Sequence, residues 1–207
     1  MPKIPPHPNN PVLRNAKFAK IVFDSACRPL AWLIVSRRLR HSANAILDRE
    51  APIAQRFWAE LHRVTDAKDF DESKFPFPNF DAAHMLIGFA IENLLKGLMV
   101  AKGIAKFSAQ TLPKELNGHD LSKLHRDAKA STTITPHLLD TLTYMTTWRA
   151  RYPFPTKIEE FWPMDDKGNP KGGGFGPTSN QELLTYCDGL DAELKSCLSP
   201  ADLRKLR

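Results

Sequence analysis

Apolar residues recur at helical spacing along most of this 207-residue chain. The first long stretch is predicted to begin at Asp24 or Ser25, to break or kink at Pro52, and to resume as a second segment to about His62. No alternating pattern typical of β-strands is visible. The sequence therefore predicts an all-α fold, an up-and-down bundle of four to five main helices.

The most distinctive segment, residues 81–102, is apolar around almost its whole circumference, which is typical of a helix at the centre of a bundle. Gly103 follows it, in the position that a helix C-terminus favours. Its polar residues fall on a narrow seam and interrupt the apolar run, which argues against a membrane span. They are His84, Gly88, Glu92, Asn93 and Lys96.

Start signals mark three later helices. Asp120 is a predicted N-cap, and Thr135 is another, followed by Pro136 at the first helical position, where its missing N–H costs nothing. Ser179 and Glu182 form a capping-box pattern that predicts the start of the last main helix.

A chain of this length is expected to form one domain. Residues 1–23, rich in proline at their start, are predicted to be a flexible arm, and residues 24–198 a single bundle. Within the bundle, residues 153–178 form a Pro- and Gly-rich excursion. Residues 199–207 are predicted to be a basic tail.

The net charge of +6 resides in the first third of the chain. Residues 1–66 hold 11 Lys and Arg against 5 Asp and Glu, whereas residues 67–207 hold 18 of each. The cluster Arg37, Arg38, Arg40 and His41 lies in that basic third. Such a patch can meet phosphate backbones, and the alternative interpretation is a solvated helix face.

Three isolated cysteines without a Cys-x-x-Cys pair indicate a reducing compartment, so a cytoplasmic location is expected. No cluster has the ligand spacing of a metal site. The glycine run at 172–176 lacks the Lys-Ser/Thr of a phosphate-binding P-loop. The sequence therefore predicts neither a metal nor a cofactor.

Two motifs resemble the HEPN family. Residues 90–98 read A-I-E-N-L-L-K-G-L and contain Glu92, Asn93 and Lys96; after a loop comes Gly-His-Asp-Leu at 118–121. In that family a helix of the form A-x-E-x-x-x-K precedes a His-Asp-Leu that opens the next helix. The segment W-R-A-R-Y-P, which starts at Trp148, is similar to the W-x-x-R-Y-P ending of some bacterial relatives.

The resemblance implies a helical bundle that is often a homodimer. Relatives act as toxin ribonucleases, antiphage factors or nucleotide-binding partners of nucleotidyltransferases. Catalytic members use an R-x(4–6)-H motif near the start of the last bundle helix for metal-independent RNA cleavage. A homodimer that binds RNA or a nucleotide-bearing protein, in a defence or toxin–antitoxin setting, is therefore expected.

The chain departs from the catalytic pattern. No histidine follows His137, so neither Arg149 nor Arg151 can begin the motif. The spacing match is Arg56 with His62, which lies in an earlier helix than the family uses. We therefore expect a non-catalytic binding protein. The alternatives are a ribonuclease that uses Arg149 and Arg151 or the displaced Arg56/His62 pair, and a structural dimerisation module.

Two groups of residues are candidates for ligand binding. Lys96 and His119, near a predicted helix N-terminus, would suit a phosphate or nucleotide; alternatively Lys96 pairs with a carboxylate and His119 is a turn residue. The second group combines cations that grip phosphate with aromatic rings that stack on bases, and its alternative is cationic helix capping beside a core tryptophan. It consists of Trp148, Arg149, Arg151 and Tyr152.

Overall fold

The computed structural model describes residues 16–64, 78–108, 111–149 and 177–206. Seven α-helices lie in these ranges: α1 Ala16–Ala26, α2 Pro29–Leu61, α3 Asp81–Ala101, α4 Leu121–Asp127, α5 Pro136–Tyr144, α6 Pro177–Ser196 and α7 Pro200–Arg204. A 3₁₀ turn covers Lys114–Leu116, and a π-helical turn, Met145–Arg149, prolongs α5. No β-strand occurs among the described residues, and the predicted all-α bundle is confirmed.

The centre of the bundle is α3, which packs against α2, α4, α5 and α6. Most of its apolar side chains are almost completely buried, and each large one contributes roughly 1.5–3 kcal/mol relative to an exposed position. The largest are Ile87, Ile91, Leu94, Leu95 and Leu98. The helix ends as predicted, with Gly103 at a φ of +66°, a conformation that glycine adopts without strain.

The long helices α2 and α3 are antiparallel. Near the start of α2, Trp32 lies against Gly97, late in α3; near its end, Glu50 Oε2 accepts a hydrogen bond of 2.9 Å from the N–H of Asn79, just before α3. A Cβ at position 97 would lie 2.9 Å from Trp32 Cβ and 2.8 Å from Leu194 Cδ2 of α6. The absence of a side chain at Gly97 therefore allows both α2 and α6 to approach α3 closely.

The predicted start of the first helix at Asp24 or Ser25 is wrong. Residues from Ala16 onward are already helical, so α1 occupies the last third of the segment predicted to be an arm. The Trp32 Nε1–H donates to the carbonyl oxygen of Ala26 at 2.8 Å. Phe23 packs edge-on against Phe107, with 5.7 Å between the ring centroids. These contacts attach α1 to the bundle. Residues 1–15 lie outside the described ranges.

Of the break or kink predicted at Pro52, the break is wrong, because α2 runs through it as one helix of 33 residues. Proline there removes one intrahelical hydrogen bond. The buried face is continuous across it: Ala43, Glu50 and Phe57, seven residues apart, are all buried. Packing along this face outweighs the local preference for a break.

The capping-box prediction for Ser179 and Glu182 is wrong. The helix begins at Pro177, and Glu182 Oε1 instead accepts a hydrogen bond of 2.8 Å from the N–H of Thr135. Thr135 is the N-cap residue of α5, as predicted, but its side chain makes no capping hydrogen bond. The carboxylate of α6 thus binds the backbone at the start of α5. In the predicted basic tail, Ser199 caps α7.

By length and composition alone, α3 meets the criteria for a membrane-crossing helix, and it is the one described helix that does. However, 72% of its most apolar window is buried inside the bundle. Packing against neighbouring helices therefore accounts for its apolar surface, as in the core helix of a helical bundle.

Candidate functional site

The polar seam of α3 forms a buried ion pair with a histidine at its edge. Lys96 Nζ donates to Glu92 Oε1 at 2.6 Å, and both side chains are less than a tenth exposed. His119, from the loop before α4, places its Nδ1 3.0 Å from Glu92 Oε2 and 3.1 Å from Oε1. The structure therefore brings together Lys96 and His119, two of the predicted binding residues, through Glu92.

Local hydrogen bonds position the loop that carries His119. Asp120 is the N-cap of α4, as predicted, because its Oδ1 accepts a hydrogen bond of 2.8 Å from the N–H of Lys123. The next N–H, that of Leu121, donates to Thr143 Oγ1 of α5 at 2.9 Å. These two bonds attach the loop to both α4 and α5, and they place the imidazole beside Glu92.

The geometry indicates the hydrogen-bonding roles of the two ring nitrogens. An ionised carboxylate only accepts hydrogen bonds, so His119 Nδ1 must carry the proton that it shares with Glu92. His119 Nε2 makes no hydrogen bond with any described residue, and the side chain is 48% exposed. A carboxylate that fixes the tautomer of a histidine in this way leaves Nε2 as an acceptor toward solvent.

Lys96, in contrast, is not available as a phosphate-binding group. Its ammonium is buried and held by Glu92, and breaking such a pair leaves an uncompensated charge in the interior. Of the two interpretations made from the sequence, the structure supports the structural one for Lys96. Asn93 is half-buried, and its Nδ2 donates to the carbonyl of Phe89, one turn earlier, at 2.7 Å.

The second predicted surface is only partly within the described residues. Trp148 and Arg149 lie in the π-helical turn that follows α5. The same turn contains Thr146, whose methyl group packs against Gly88 of α3. Arg151 and Tyr152 lie outside the described ranges. The predicted excursion at 153–178 does too, apart from its last two residues, which begin α6.

The displaced Arg56/His62 pair does not form a site within one chain. Both residues are exposed, and six residues on a helix separate them by about 120° around its axis. Neither side chain has a hydrogen-bond partner among the residues described. The two side chains therefore point in different directions.

The basic cluster of the first third is divided by α2 into two sets. Arg37 donates two hydrogen bonds to Asp191 of α6, at 2.7 and 3.1 Å, and Arg40 pairs with Asp188, also on α6. Hydrogen bonds from Arg37 and Lys195 hold the pKa of Asp191 below its usual value, although burial on its own would raise that pKa. These two arginines stabilise the contact between helices. Arg38 and His41 face solvent instead.

The solvent-facing side of α2 carries a line of arginines that we call the arginine row: Arg38, Arg49, Arg56 and Arg63. At 3.6 residues per turn, the four positions fall within about 40° of one another and span about 37 Å. All four residues are exposed, on the side opposite the buried face of α2. Arg63 lies just beyond the last turn, where its N–H bonds to the carbonyl of Glu60 at 2.9 Å.

Two members of the arginine row have acidic partners. Arg49 pairs with its neighbour Glu50 at 2.8 Å, and Arg63 pairs with Glu60 at 2.8 Å. The Arg63–Glu60 pair is exposed on both sides and contributes little to stability. Glu50 is buried, so its pairing with Arg49 also offsets the cost of a buried charge. Arg38 and Arg56 have no ion-pair partner in the described part of the chain. The last three members are spaced seven residues apart in the sequence. The predicted break at Pro52 assigned them to two separate helices, so they were not expected to share one helix face.

Titratable groups where α6 meets α3 and α4 serve the core. Burial lowers the pKa of His84 below 6.5, although its Nε2 is 2.7 Å from Asn180 Oδ1, a hydrogen bond that opposes the shift. Burial also lowers the pKa of His125, whose Nδ1 lies 2.7 Å from the hydroxyl of Tyr186. Burial raises the pKa of Cys187 to about 12, so its thiol stays protonated and is no nucleophile.

No group of three or more metal-ligating side chains occurs among the residues described. Comparison with known proteins gives no match: no protein-family model, no curated protein and no solved structure matches this chain.

Proposed function

We propose that this protein is a HEPN-like helical module that binds RNA without cleaving it. The observation that carries the proposal is the arginine row, since exposed guanidinium groups along one helix face can each contact a phosphate. The cytoplasmic homodimer and the defence or toxin–antitoxin setting that the resemblance implies belong to the same proposal.

The exposure of unpaired arginines supports binding to an anion. Arg37 and Arg40 are paired with carboxylates of α6, whereas Arg38 and Arg56, on the outer face of α2, have no ion-pair partner among the described residues. Guanidinium groups there need no desolvation from a buried pair before they meet phosphate. Non-specific affinity for nucleic acid arises mainly from such contacts.

The test is RNA binding measured by fluorescence anisotropy across a salt series. The variant Arg38→Gln/Arg56→Gln removes the two unpaired members of the row and should reduce the salt slope by about 1 for each arginine. The matched control Arg126→Gln/Lys106→Gln removes the same charge from two exposed residues outside α2 and should leave the slope nearly unchanged. Absence of binding at low salt would overturn the proposal and favour the structural dimerisation module.

A second candidate function rests on a different observation. His119, oriented by Glu92 with its Nε2 toward solvent, has the arrangement of a proton-transfer group. A ribonuclease would use it in place of the displaced Arg56/His62 pair. Digestion of RNA by the purified protein, abolished in His119→Gln and retained in His62→Gln, would favour this function over the non-catalytic one.

A further inference from the structure

The residues between the arginines, and the spacing of the guanidinium groups, define the surface of the arginine row. Between its members, the same face of α2 carries His41 and Glu60 near its edges and four small residues: Ser42, Ala45, Pro52 and Ala59. All four are exposed, and no aromatic residue of α2 lies among them. The face therefore presents guanidinium groups at intervals of about 10–17 Å along α2 and the turn that follows it.

From this geometry we infer that the arginine row binds the sugar-phosphate backbone of double-stranded RNA. The inference rests on the proposed function and specifies its ligand. The groups that it places on the duplex are Arg38, Arg49, Arg56 and Arg63, with the small residues between them allowing the backbone to approach the helix.

The absence of aromatic side chains from this face disfavours single-stranded RNA. Surfaces for single strands combine a basic groove with rings on which successive bases stack, each worth about 1–3 kcal/mol. Trp58, the exposed tryptophan of α2, lies about 160° around the helix from Arg56. A flexible strand would also lose conformational entropy to follow a rigid row, whereas a duplex already holds its phosphates in rigid rows.

The same face favours an RNA duplex over DNA. A-form RNA is recognised mostly through its shape and its backbone, across a wide and shallow minor groove. A line of cations separated by small residues suits that kind of recognition.

The test compares three labelled ligands of one sequence in the same buffer: an RNA duplex of about 20 base pairs, one of its single strands, and the DNA duplex. This length exceeds the about 16 base pairs that double-stranded-RNA-binding domains span. We expect the RNA duplex to bind most tightly. Arg38→Gln/Arg56→Gln should weaken duplex binding on the order of tenfold.

A charge-preserving variant tests the geometry itself. Gln55→Arg/Arg56→Gln exchanges two exposed neighbours and moves one guanidinium about 100° around α2 without changing the composition. It should weaken duplex binding as much as Arg56→Gln does. Circular dichroism and the urea midpoint, both expected to be unchanged, show that the exchange leaves the fold intact.

Each other outcome overturns a defined part. Equal or tighter binding of the single strand overturns the duplex inference and leaves the proposed function in place. Equal binding of the DNA duplex overturns the choice of RNA. Undiminished binding by both variants removes the arginine row as the surface, and absence of binding to all three ligands overturns the proposed function as well.

Discussion

The arginines of α2 fall into two sets with different surroundings. Arg37 and Arg40 face α6 and hold carboxylates there, whereas the arginine row faces solvent, where its only partners among the described residues are neighbours on α2 itself. The chemistry of the side chain is the same in both sets. Position around the helix axis therefore decides whether an arginine stabilises the fold or remains available for a ligand.

The Glu92–Lys96 pair extends this comparison to the interior, and it should give the largest effect. Lys96→Met leaves the Glu92 carboxylate buried without its cation, and we expect a loss of about 3–5 kcal/mol in the free energy of unfolding. Urea denaturation measures it. In the double variant Glu92→Leu/Lys96→Met no charge remains unpaired, so much of the loss should be recovered; equal losses in both variants would contradict this explanation.

Weakening the contact between α2 and α6 should give the second-largest loss in the free energy of unfolding. Asp191→Asn weakens the hydrogen bonds from Arg37 and Lys195, and we expect it to lower the free energy of unfolding by about 1–3 kcal/mol. Urea denaturation beside Asp140→Asn, an exposed carboxylate on α5, provides the control. If the free energy of unfolding falls no more than in the control, Arg37 contributes no more to stability than the exposed arginines do.

Acid should weaken the interior before it affects the surface. Burial lowers the pKa values of His84 and His125, so the unfolded chain binds protons at a higher pH than the folded chain does. The stability that is present above pH 6.5 is therefore lost as the pH falls through the folded pKa values. Asp191 and Glu193, with lowered pKa values, lose their contribution only in more acidic solution. Urea midpoints measured between neutral pH and about pH 5.5 test the histidine step.

The histidine substitution provides the matched control for this pH dependence. His84→Gln should remove part of the slope of stability against pH in that window, while His137→Gln, at an exposed position, should preserve it. A slope that is identical in both variants and in the parent protein would show that the buried imidazole does not contribute.

The arginine row should have the smallest effect on stability. Arg38→Gln/Arg56→Gln removes two exposed side chains without described partners, and we expect a change within about 0.5 kcal/mol. The measurement is again the urea midpoint, beside Arg37→Gln as the inward-facing counterpart. A large loss in the outer variant would show that the row supports the fold, and the distinction between the two sets would then fail.

Much of the fold was predictable because local signals and burial agree. Residues 81–102 are apolar all round and form the central helix, and Asp120 caps α4 where the sequence indicated. The predictions of a break at Pro52 and of a capping box at Glu182 were wrong for one reason. Both depend on contacts with a distant element, which override the local preference for a helix break or a capping box.

The candidate site was predictable in its parts only. Glu92, Lys96 and His119 could each be named from motifs, but 27 residues separate Glu92 from His119, and no local rule joins them. Likewise the cluster at Arg37–Arg40 is visible in the sequence, while its division depends on where α6 packs. The position of α6 is a tertiary property that helical periodicity in α2 does not specify.

The pairing of α2 with α6 also has a kinetic consequence. Arg37 and Asp191 are 154 residues apart, and Arg40 and Asp188 are 148 apart. By contrast, α2 and α3 are near neighbours along the chain and can associate early as an antiparallel hairpin. Contacts between such distant residues raise the contact order and slow folding, since a long loop must close before they form. Docking of α6 is therefore expected to be the late step in folding, and until it occurs Arg37 and Arg40 remain without the carboxylates that neutralise them.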